Sequence, residues 1–370
     1  MMSYYTRCVR PFLFRLDPER AHHLTVGACR LAGALSPLRA AAGRCLTFDN
    51  AALRSVVAAI EFANPIGLAA GWDKSGRALA MLGHMGFGHA EIGSVSAEPS
   101  AGNPRPRLFR LPRDRAIVVH YGVPNDGASA VADRLDALGP RCMPIGVNLV
   151  ATNRGLAGPE LTDQEIVADY GRSVERMHRR CDYLMLNLSC PNAKDGRDFF
   201  SEPANIARLL ERLAPLKIAI PVFLKIAPVD DPAWLARIVE IADRYAFVRG
   251  FSFNLPTGKP EANLLTPRSV WQQWPGAVSG KPVAAHINRC IGELYRLLPR
   301  ERFVIIGAGG VFTADDAYEK IKLGASLVQL YTALVYEGPT LAKRINAGLC
   351  RLLERDGFRN VRDAVGIAVR

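Results

Sequence analysis

Short, almost continuously apolar runs alternate with longer helical patterns along most of the chain beyond residue 60. Runs of this kind are typical of strands that are buried on both faces. The predicted strands lie at 64–71, 89–96, 144–151, 183–189, 221–228, 249–254, 303–310 and 327–335. Helical patterns occupy 75–84, 126–138, 162–180, 202–214, 231–244, 285–298, 313–323 and 338–355. Eight strands, each followed by a helix, predict an α/β fold of the (β/α)₈ TIM barrel class.

One segment departs from this alternation. It reads RLFRLPRDRAIVVH at 107–120 and predicts an inserted β-hairpin. A doubly wound sheet also alternates strands and helices, but it usually has fewer strands and opens with a GxGxxG turn. The first predicted strand has no such turn, so the barrel is favoured.

The first 45 residues show a helical pattern of their own. Asp17 is a favourable N-cap, Pro18 suits the first helical position, and Glu19 complements the helix dipole there. The pattern predicts two short amphipathic helices with basic flanks, which could lie in a bilayer interface or cap one end of the barrel. We therefore divide the chain into a helical extension at 1–45 and a barrel domain at 46–370.

The chain is basic, with a net charge of +12, and residues 1–45 hold seven arginines against two acids. Basic segments favour nucleic acid or lipid headgroups as partners. We find no nucleic-acid-binding motif, so a membrane surface is favoured and no nucleic acid is expected. No apolar run approaches the ~18–20 residues of a spanning helix, and the opening residues lack a signal-peptide core. We therefore expect a cytoplasmic protein that associates peripherally with the inner face of the membrane.

Composition narrows the chemistry only a little. Hydrophobic residues make up 49% of the chain and charged residues 22%, which is ordinary for a folded protein and excludes a disordered one. The eight cysteines form no CxxC pair and show no metal-ligand spacing. Neither a metal site nor a disulfide framework is expected.

Candidate site residues are the polar ones at the carboxyl ends of the strands, where barrel enzymes carry their chemistry. This ring holds two lysines, several asparagines and few carboxylates. Its members include Asp73, Lys74, Ser94, Ser96, Asn148, Asn187, Ser189, Cys190, Asn192, Lys225, Asn254, Tyr331, Thr332 and the glycine loop at 307–310. A glycosidase would need paired carboxylates, so that class is excluded. Lysines and amides suit a ligand with many carbonyl groups and a phosphate.

These segments resemble the dihydroorotate dehydrogenases, and in particular their membrane-associated, quinone-using class 2. The resemblance runs in order from about residue 14 to about residue 340 and is carried by FRLDPERAHHLT, NPIGLAAGWDKSG, GFGHAEIGSVS, NPRPRLFRLPRD, NLSCPN, LKIAP, VSGKP, GAGGV and GASLVQLYTALVYEGP. It implies an FMN-dependent barrel enzyme of pyrimidine biosynthesis that oxidises dihydroorotate to orotate. It also implies a quinone as electron acceptor, reached along the extension at 1–45.

The resemblance also assigns roles within the ring. The residues it places around FMN are Ala70, Gly71, Lys74, Ser94, Asn148, Asn187, Lys225, Gly280, Gly309, Gly310, Tyr331 and Thr332. The residues it places at the substrate are Lys74, Asn187, Asn192 and Asn254. The glycines and the amides of Tyr331 and Thr332 would hold the phosphate, and Lys225 would favour electron density on the reduced ring.

Cys190 is the candidate catalytic base. The resemblance puts a proton acceptor in the loop after the fourth strand, where class 2 relatives generally carry Ser and the soluble class 1A relatives carry Cys. A thiolate can act as a general base, and a nearby cation such as Lys74 would lower the pKa of the thiol.

Four positions depart from the class 2 pattern. Where relatives read approximately NRMGFNN this chain has VHYGVPN, with Val119 and His120, and where they read TNT it has Phe253 and Leu255 around Asn254. A site that loses hydrogen-bonding partners for a polar substrate loses its preference for that substrate, so weak activity on dihydroorotate is expected. The alternatives are a diverged paralogue that desaturates another amide or carbonyl substrate, for example in a specialised pathway, and a barrel without flavin that serves as a scaffold. Retention of Lys74 and Lys225 argues against the scaffold.

Overall fold

The computed structural model describes residues 4–155, 158–191 and 198–369. Eight parallel strands close into a barrel in the order β3-β4-β7-β8-β9-β10-β12-β13. The strands in chain order are β1 (Ser55–Val57), β2 (Ile60–Phe62), β3 (Ile66–Leu68), β4 (His89–Val95), β5 (Leu108–Leu111), β6 (Ala116–Val119), β7 (Ile145–Leu149), β8 (Tyr183–Asn187), β9 (Val222–Ile226), β10 (Val248–Phe253), β11 (Ala277–Gly280), β12 (Val304–Gly307) and β13 (Ala325–Leu330). The predicted (β/α)₈ barrel is confirmed.

The barrel strands are buried on both faces, which explains their near-continuous apolar runs. The hairpin of β1 and β2 was not predicted, because three-residue strands are too short to show an alternation. Its Val57 and Phe62 pack with Tyr183, Phe223 and other side chains at the start of the barrel strands. The hairpin thereby closes the amino-terminal end of the barrel.

Helices follow the barrel strands and form the outer layer. The helices in chain order are α1 (Arg10–Arg15), α2 (Pro18–Ala34), α3 (Ser36–Leu46), α4 (Leu79–Leu82), α5 (Gly127–Asp136), α6 (Asp163–Met177), α7 (Pro203–Leu213), α8 (Pro232–Asp243), α9 (Arg268–Trp271), α10 (Ala284–Leu297), α11 (Ala314–Lys322), α12 (Thr332–Glu337) and α13 (Leu341–Arg355). Capping boxes begin α6 at Thr162 and α11 at Thr313, so local sequence sets those two starts.

Two predicted elements differ from the structure. The helix predicted at 75–84 is reduced to α4, because the Asp73 carboxylate accepts hydrogen bonds from the backbone of Arg77 and Ala78 and holds the preceding segment as a loop. The last strand, predicted at 327–335, ends at Leu330, and Thr332 begins α12. An apolar run alone does not separate a buried strand from a buried helix.

The predicted hairpin at 107–120 is present as β5 and β6, which pair antiparallel. A third strand, β11, pairs with the other edge of β6 and completes a small sheet outside the barrel. The sequence did not predict β11 in this sheet, because its partner strand is distant in the chain.

The extension forms a π-helical turn at Tyr5–Val9 followed by α1, α2 and α3. Asp17 caps α2 by accepting a hydrogen bond from the backbone N–H of Arg20, as predicted. Glu19 does more than complement the helix dipole: its buried carboxylate lies 2.7 Å from the guanidinium of Arg107 and ties α2 to the β5–β6 sheet. Among the residues that the structure describes, no helix is both long and apolar enough to span a bilayer.

Candidate active site

A cavity opens at the carboxyl ends of the barrel strands and contains about 1240 Å³ of empty space, part of it continuous with solvent. The barrel loops and the β5–β6–β11 sheet form its walls. Predicted site residues that line it are Ala70, Gly71, Lys74, Ser94, Asn187, Cys190, Lys225, Asn254, Gly280, Gly309, Gly310, Tyr331 and Thr332. We call it the barrel cavity.

A continuous chain of hydrogen bonds runs along one wall of the barrel cavity. The Asn254 amide donates to the Asn187 amide oxygen at 2.7 Å, and Asn187 donates to the Ser94 hydroxyl at 3.1 Å. Ser94 donates to the Asn148 amide oxygen at 2.5 Å, and Asn148 donates to Glu91 at 2.8 Å. Asn148 is fully buried behind Ser94 and does not line the cavity. The wall is therefore a fixed set of amides and hydroxyls, oriented before any ligand binds.

Below this wall lies a buried charge pair. The Lys225 ammonium is 3.7 Å from a carboxylate oxygen of Glu91, which is 1% exposed. Gln329 donates to the other Glu91 oxygen at 3.0 Å. The Gln329 amide oxygen is buried at the cavity wall without a partner among the described residues, so it can accept a hydrogen bond from a ligand N–H.

Lys74 lies where the barrel cavity meets the helical extension. Its ammonium donates to the carbonyl of Gly71 at 2.8 Å, is 3.1 Å from Nε2 of His22, and lies 4.1 Å from the centre of the Tyr121 ring. Burial lowers the pKa of Lys74 to about 7, although Glu19 and Asp73 oppose that shift. Lys74 can therefore gain or lose a proton near neutral pH.

Cys190 is buried at the cavity wall against Val123 and Val150. Val123 has a φ of +51°, in the left-handed region that β-branched residues rarely occupy. Such backbone strain persists only where the surrounding fold imposes it, and it concentrates at functional sites. The loop at 121–125 thus places an apolar side chain directly beside the candidate base.

The other end of the barrel cavity is formed by backbone. Gly280, Gly309 and Gly310 all have positive φ. At Gly310 a β-carbon would collide with Ala284, the first residue of α10. The Ser279 and Thr332 hydroxyls are 2.9 Å apart at the same end. Glycine at these positions allows the strand ends to pack closely on α10 and α12, whose first residues, Ala284 and Thr332, lie at this end. Helix amino termini favour an anion such as a phosphate.

A second, strongly apolar cavity lies between the extension and the barrel and encloses about 1830 Å³, again partly open. We call it the extension cavity. Leu108, Ile117 and Tyr331 line both cavities and form their common wall. His22 links the two, because its Nδ1 is 3.3 Å from the Tyr331 hydroxyl while its Nε2 faces Lys74. Burial and the nearby Lys74 ammonium lower the pKa of His22 well below its ordinary value.

The remaining predicted residues are placed as follows. Val119, Phe253 and Leu255 line the barrel cavity and add apolar side chains to its wall, the last two on either side of Asn254. His120 points elsewhere, with its Nε2 3.1 Å from the Asn103 amide, so its departure from the class 2 pattern does not alter the cavity wall. Trp72, which follows Gly71 in the segment NPIGLAAGWDKSG, lines the extension cavity. Asn192 lies outside the described residues.

Sequence reasoning missed four residues that shape the two cavities: His22, Glu91, Tyr121 and Gln329. Glu91 and Gln329 lie within buried barrel strands, and a large polar residue in such a strand was the available signal. His22 and Tyr121 carried no such signal, because they reach the site from segments outside the barrel strands.

Although no metal site was expected, three side chains that could bind a metal ion lie close together. Asp230, His286 and Cys290 come together on the outer layer with their ligand atoms within 4.8 Å of one another. Spacing among cysteines alone could not reveal this group, since only one ligand is a cysteine. All eight cysteines are free thiols.

Comparison with known proteins identifies the family. A sequence profile of the family described as "Dihydroorotate dehydrogenase" matches residues 52–353. The chain belongs to the dihydroorotate dehydrogenase family. It is 39% identical to a protein of Deinococcus deserti named dihydroorotate dehydrogenase (quinone), covering 98% of this chain and 99% of that one. It is 40% identical to a protein of the same name from Halobacterium salinarum, covering 96% and 97%.

Solved structures agree with this family membership. The dihydroorotate dehydrogenase of Eimeria tenella in its ligand-free form matches with a TM-score of 0.83 and 29% identity, over 96% of this chain and all of that one. The same enzyme in complex with ferulenol matches with a TM-score of 0.81 and 28% identity, over 96% of each chain. The match covers the extension as well as the barrel.

Proposed function

We propose that the protein is a quinone-dependent dihydroorotate dehydrogenase: it binds FMN in the barrel cavity, oxidises dihydroorotate to orotate and transfers the electrons to a quinone in the extension cavity. The observation that carries this proposal is the pair of cavities with a common wall at Leu108, Ile117 and Tyr331. One cavity is lined by lysines and amides, and the other is apolar. Relatives at 39–40% identity bear the corresponding name.

The residues present fit FMN. The glycine-lined end, with the first residues of α10 and α12 beside it, would suit the phosphate. The Gln329 oxygen, which has no partner among the described residues, and the Ser94 and Asn187 side chains would suit the polar edges of a flavin ring and its chain. Lys225, which pairs with Glu91, would direct its ammonium towards the ring and favour electron density on it. When bound, FMN supplies the acceptor for a hydride.

The polar wall and Cys190 would then act on the substrate. Asn187, Asn254 and Lys74 donate hydrogen bonds to its carbonyl groups and hold the ring in one orientation. The Cys190 thiolate removes a proton from the carbon next to a carbonyl while the adjacent carbon loses a hydride. Because Cys190 is buried, the transferred proton is shielded from exchange with bulk water.

The route to the quinone crosses the common wall. Reduction of a quinone to a quinol consumes two electrons and two protons, the same number that oxidation of the substrate releases. Lys74, His22 and Tyr331 form a hydrogen-bonded series from one cavity to the other. We propose that this series delivers one of the two protons from Lys74 to a quinone oxygen and that the other comes from solvent, with the pKa of Lys74 near 7 matched to that transfer.

Membrane association is part of the same proposal. Tyr4, Val9, Phe12 and Leu24 line the extension cavity and are also exposed, so its mouth opens among apolar side chains. Arg7, Arg10 and Arg15 lie on the same short segment. An apolar mouth with a basic rim suits the headgroup region of a bilayer, from which a long-tailed quinone could enter.

The test is anaerobic flavin bleaching. The purified protein should release FMN on denaturation, and its visible flavin absorbance should fall when dihydroorotate is added without oxygen. Addition of a quinone should restore the absorbance. A colourless protein that stays colourless with added FMN would overturn the proposed cofactor. A flavoprotein that is bleached by another cyclic amide but not by dihydroorotate would overturn only the proposed substrate.

A further inference from the structure

The cluster of Asp230, His286 and Cys290 lies on the outer layer of the barrel. His286 and Cys290 are one helical turn apart on α10, so both face the loop that leaves β9. Asp230 is in that loop, immediately before α8. Nδ1 of His286 is 3.7 Å from the Asp230 carboxylate, and its Nε2 is 3.8 Å from the Cys290 sulfur.

These spacings are close to those of a coordination shell. A zinc ion lies ~2.3 Å from a thiolate and ~2.0–2.1 Å from an imidazole nitrogen, so two such ligands sit under ~4 Å apart. The carbonyl oxygen of Pro228 is 3.1 Å from Nε2 of His286, on the Cys290 side of the imidazole ring, whereas Asp230 lies at Nδ1. The ligand atoms of the three side chains are within 4.8 Å of one another, and rotation of the His286 ring would bring one of its nitrogens between the carboxylate and the sulfur.

The present arrangement already holds a cation on the Asp230 side of the ring. The Arg289 guanidinium donates to Nδ1 of His286 at 3.1 Å and lies 3.9 Å from the Asp230 carboxylate. The Arg289 and Asp230 side chains are each 61% exposed, so both can move at little cost, whereas the Cys290 thiol is buried. An ion could enter from the solvent side and displace the guanidinium.

We propose that Asp230, His286 and Cys290 bind one divalent transition-metal ion of the zinc class. Calcium and magnesium prefer shells made of oxygen, and a thiolate with an imidazole selects a borderline or soft ion instead. The site lies outside both cavities and is independent of the proposed oxidation. Its ion would join the loop after β9, which carries Lys225, to α10, whose first residue packs against Gly310.

Cobalt is the spectroscopic probe. Full-length flavin-loaded protein titrated with Co²⁺ should develop the d–d absorption of a tetrahedral site, beyond the flavin bands, together with a thiolate charge-transfer band in the difference spectrum. Both should saturate at one ion per chain. Cys290→Ala and His286→Gln should abolish them, and the exposed substitution Asp230→Asn should weaken Co²⁺ binding at least ~10-fold. Cys350→Ala, which removes another buried helical thiol, is the matched control and should leave the titration unchanged.

Thermal unfolding gives a second readout that does not depend on cobalt spectra. Zn²⁺ should raise the melting temperature of the wild type and of Cys350→Ala, and raise that of Asp230→Asn by less at the same Zn²⁺ concentration, because an ion that binds only the folded state stabilises it. Wild-type protein without the thiolate band, or a band that persists in Cys290→Ala, would overturn the proposal. The second outcome would assign the band to another cysteine.

Discussion

Cys190 is the residue on which the proposed proton abstraction depends. Cys190→Ala should keep the flavin content, because it removes none of the side chains proposed to hold FMN, but slow flavin reduction by dihydroorotate ~10²-fold or more. Cys190→Ser should retain partial activity, since a hydroxyl can serve in the same place. Rapid anaerobic mixing measures the reduction step directly. Unchanged kinetics in the alanine variant would assign Cys190 to packing against Val123 and Val150.

The apolar side chains of the barrel cavity bear on substrate preference. Val119 and Leu255 line the barrel cavity, so a polar group of dihydroorotate directed at them would be buried without a partner. Such a loss costs ~1–3 kcal/mol per group. The double variant Val119→Asn, Leu255→Thr should therefore turn over dihydroorotate at higher kcat/KM than the wild type. His120→Arg, outside the cavity, is the control. Efficient wild-type turnover with no gain in the double variant would contradict this expectation.

For single residues, the sequence predicted which side chains line the cavity better than it predicted which side chains contact one another. Residues that immediately follow strands, such as Lys74, Cys190 and Asn254, could be placed at the cavity because barrel topology puts all strand ends together. Glu91 could not, because its role depends on which side chains from neighbouring strands meet inside the closed barrel. His22 could not either, because only the docked extension brings it to Lys74.

At the scale of elements, one buried ion pair fixes the extension to the barrel. The Glu19 and Arg107 side chains are 7% and 6% exposed, so Glu19→Gln would leave a buried guanidinium without its counter-charge. We expect a loss of ~3–5 kcal/mol in the free energy of unfolding, measured by denaturant titration. The exposed pair of Arg237 and Glu240 is the control, where Glu240→Gln should cost ~0–1 kcal/mol. Equal losses in the two variants would exclude this anchoring role.

A buried lysine between two outer helices makes stability depend on pH. Lys320 on α11 donates to Asn288 on α10 at 2.6 Å, and burial lowers the pKa of Lys320 from 10.5 to about 7. Between those two values the unfolded chain binds more protons than the folded one, so Lys320 makes stability rise with pH across that window, by at most ~1.4 kcal/mol per pH unit. Lys74 contributes in the same direction.

Lys320→Met should therefore flatten the increase in unfolding free energy between pH 7 and pH 9, measured by urea titration at each pH. Lys322→Met, on the same helix but partly exposed, should leave that increase unchanged. The same pH dependence in Lys320→Met as in the wild type would show that the Lys320 amine keeps its ordinary pKa.

A strand or helix was predictable where its own residues showed an apolar run or a capping motif. The barrel strands and the capped helices α6 and α11 fall within a few residues of their predicted ranges. The third strand β11 and the closing hairpin of β1 and β2 were not predictable in the same way. Each owes its position to pairing or packing with residues far along the chain, which local periodicity does not encode.

At the scale of the whole molecule, the sequence was compatible with two roles for the extension: capping the barrel or binding to a membrane surface. The structure shows that it packs on the carboxyl-terminal end of the barrel, with Glu19 bound to Arg107 and His22 to Lys74. The two roles are compatible, because capping itself creates the extension cavity. Its inner end faces the barrel cavity through Tyr331, and its mouth lies among exposed apolar residues.

Membrane binding should therefore depend on that mouth. Phe12 and Leu24 are 62% and 59% exposed at that mouth, while Val56 is 69% exposed on the hairpin at the opposite end of the barrel. Phe12→Glu with Leu24→Glu should reduce co-sedimentation with anionic vesicles and slow flavin reoxidation by a long-tailed quinone, without slowing reduction by substrate. Val56→Glu adds a charge where no bilayer contact is proposed and should change neither. Vesicle binding by the wild type should also weaken with salt, because screening acts over ~10 Å at 0.1 M. Equal vesicle binding by all three proteins would leave the extension as a barrel cap alone.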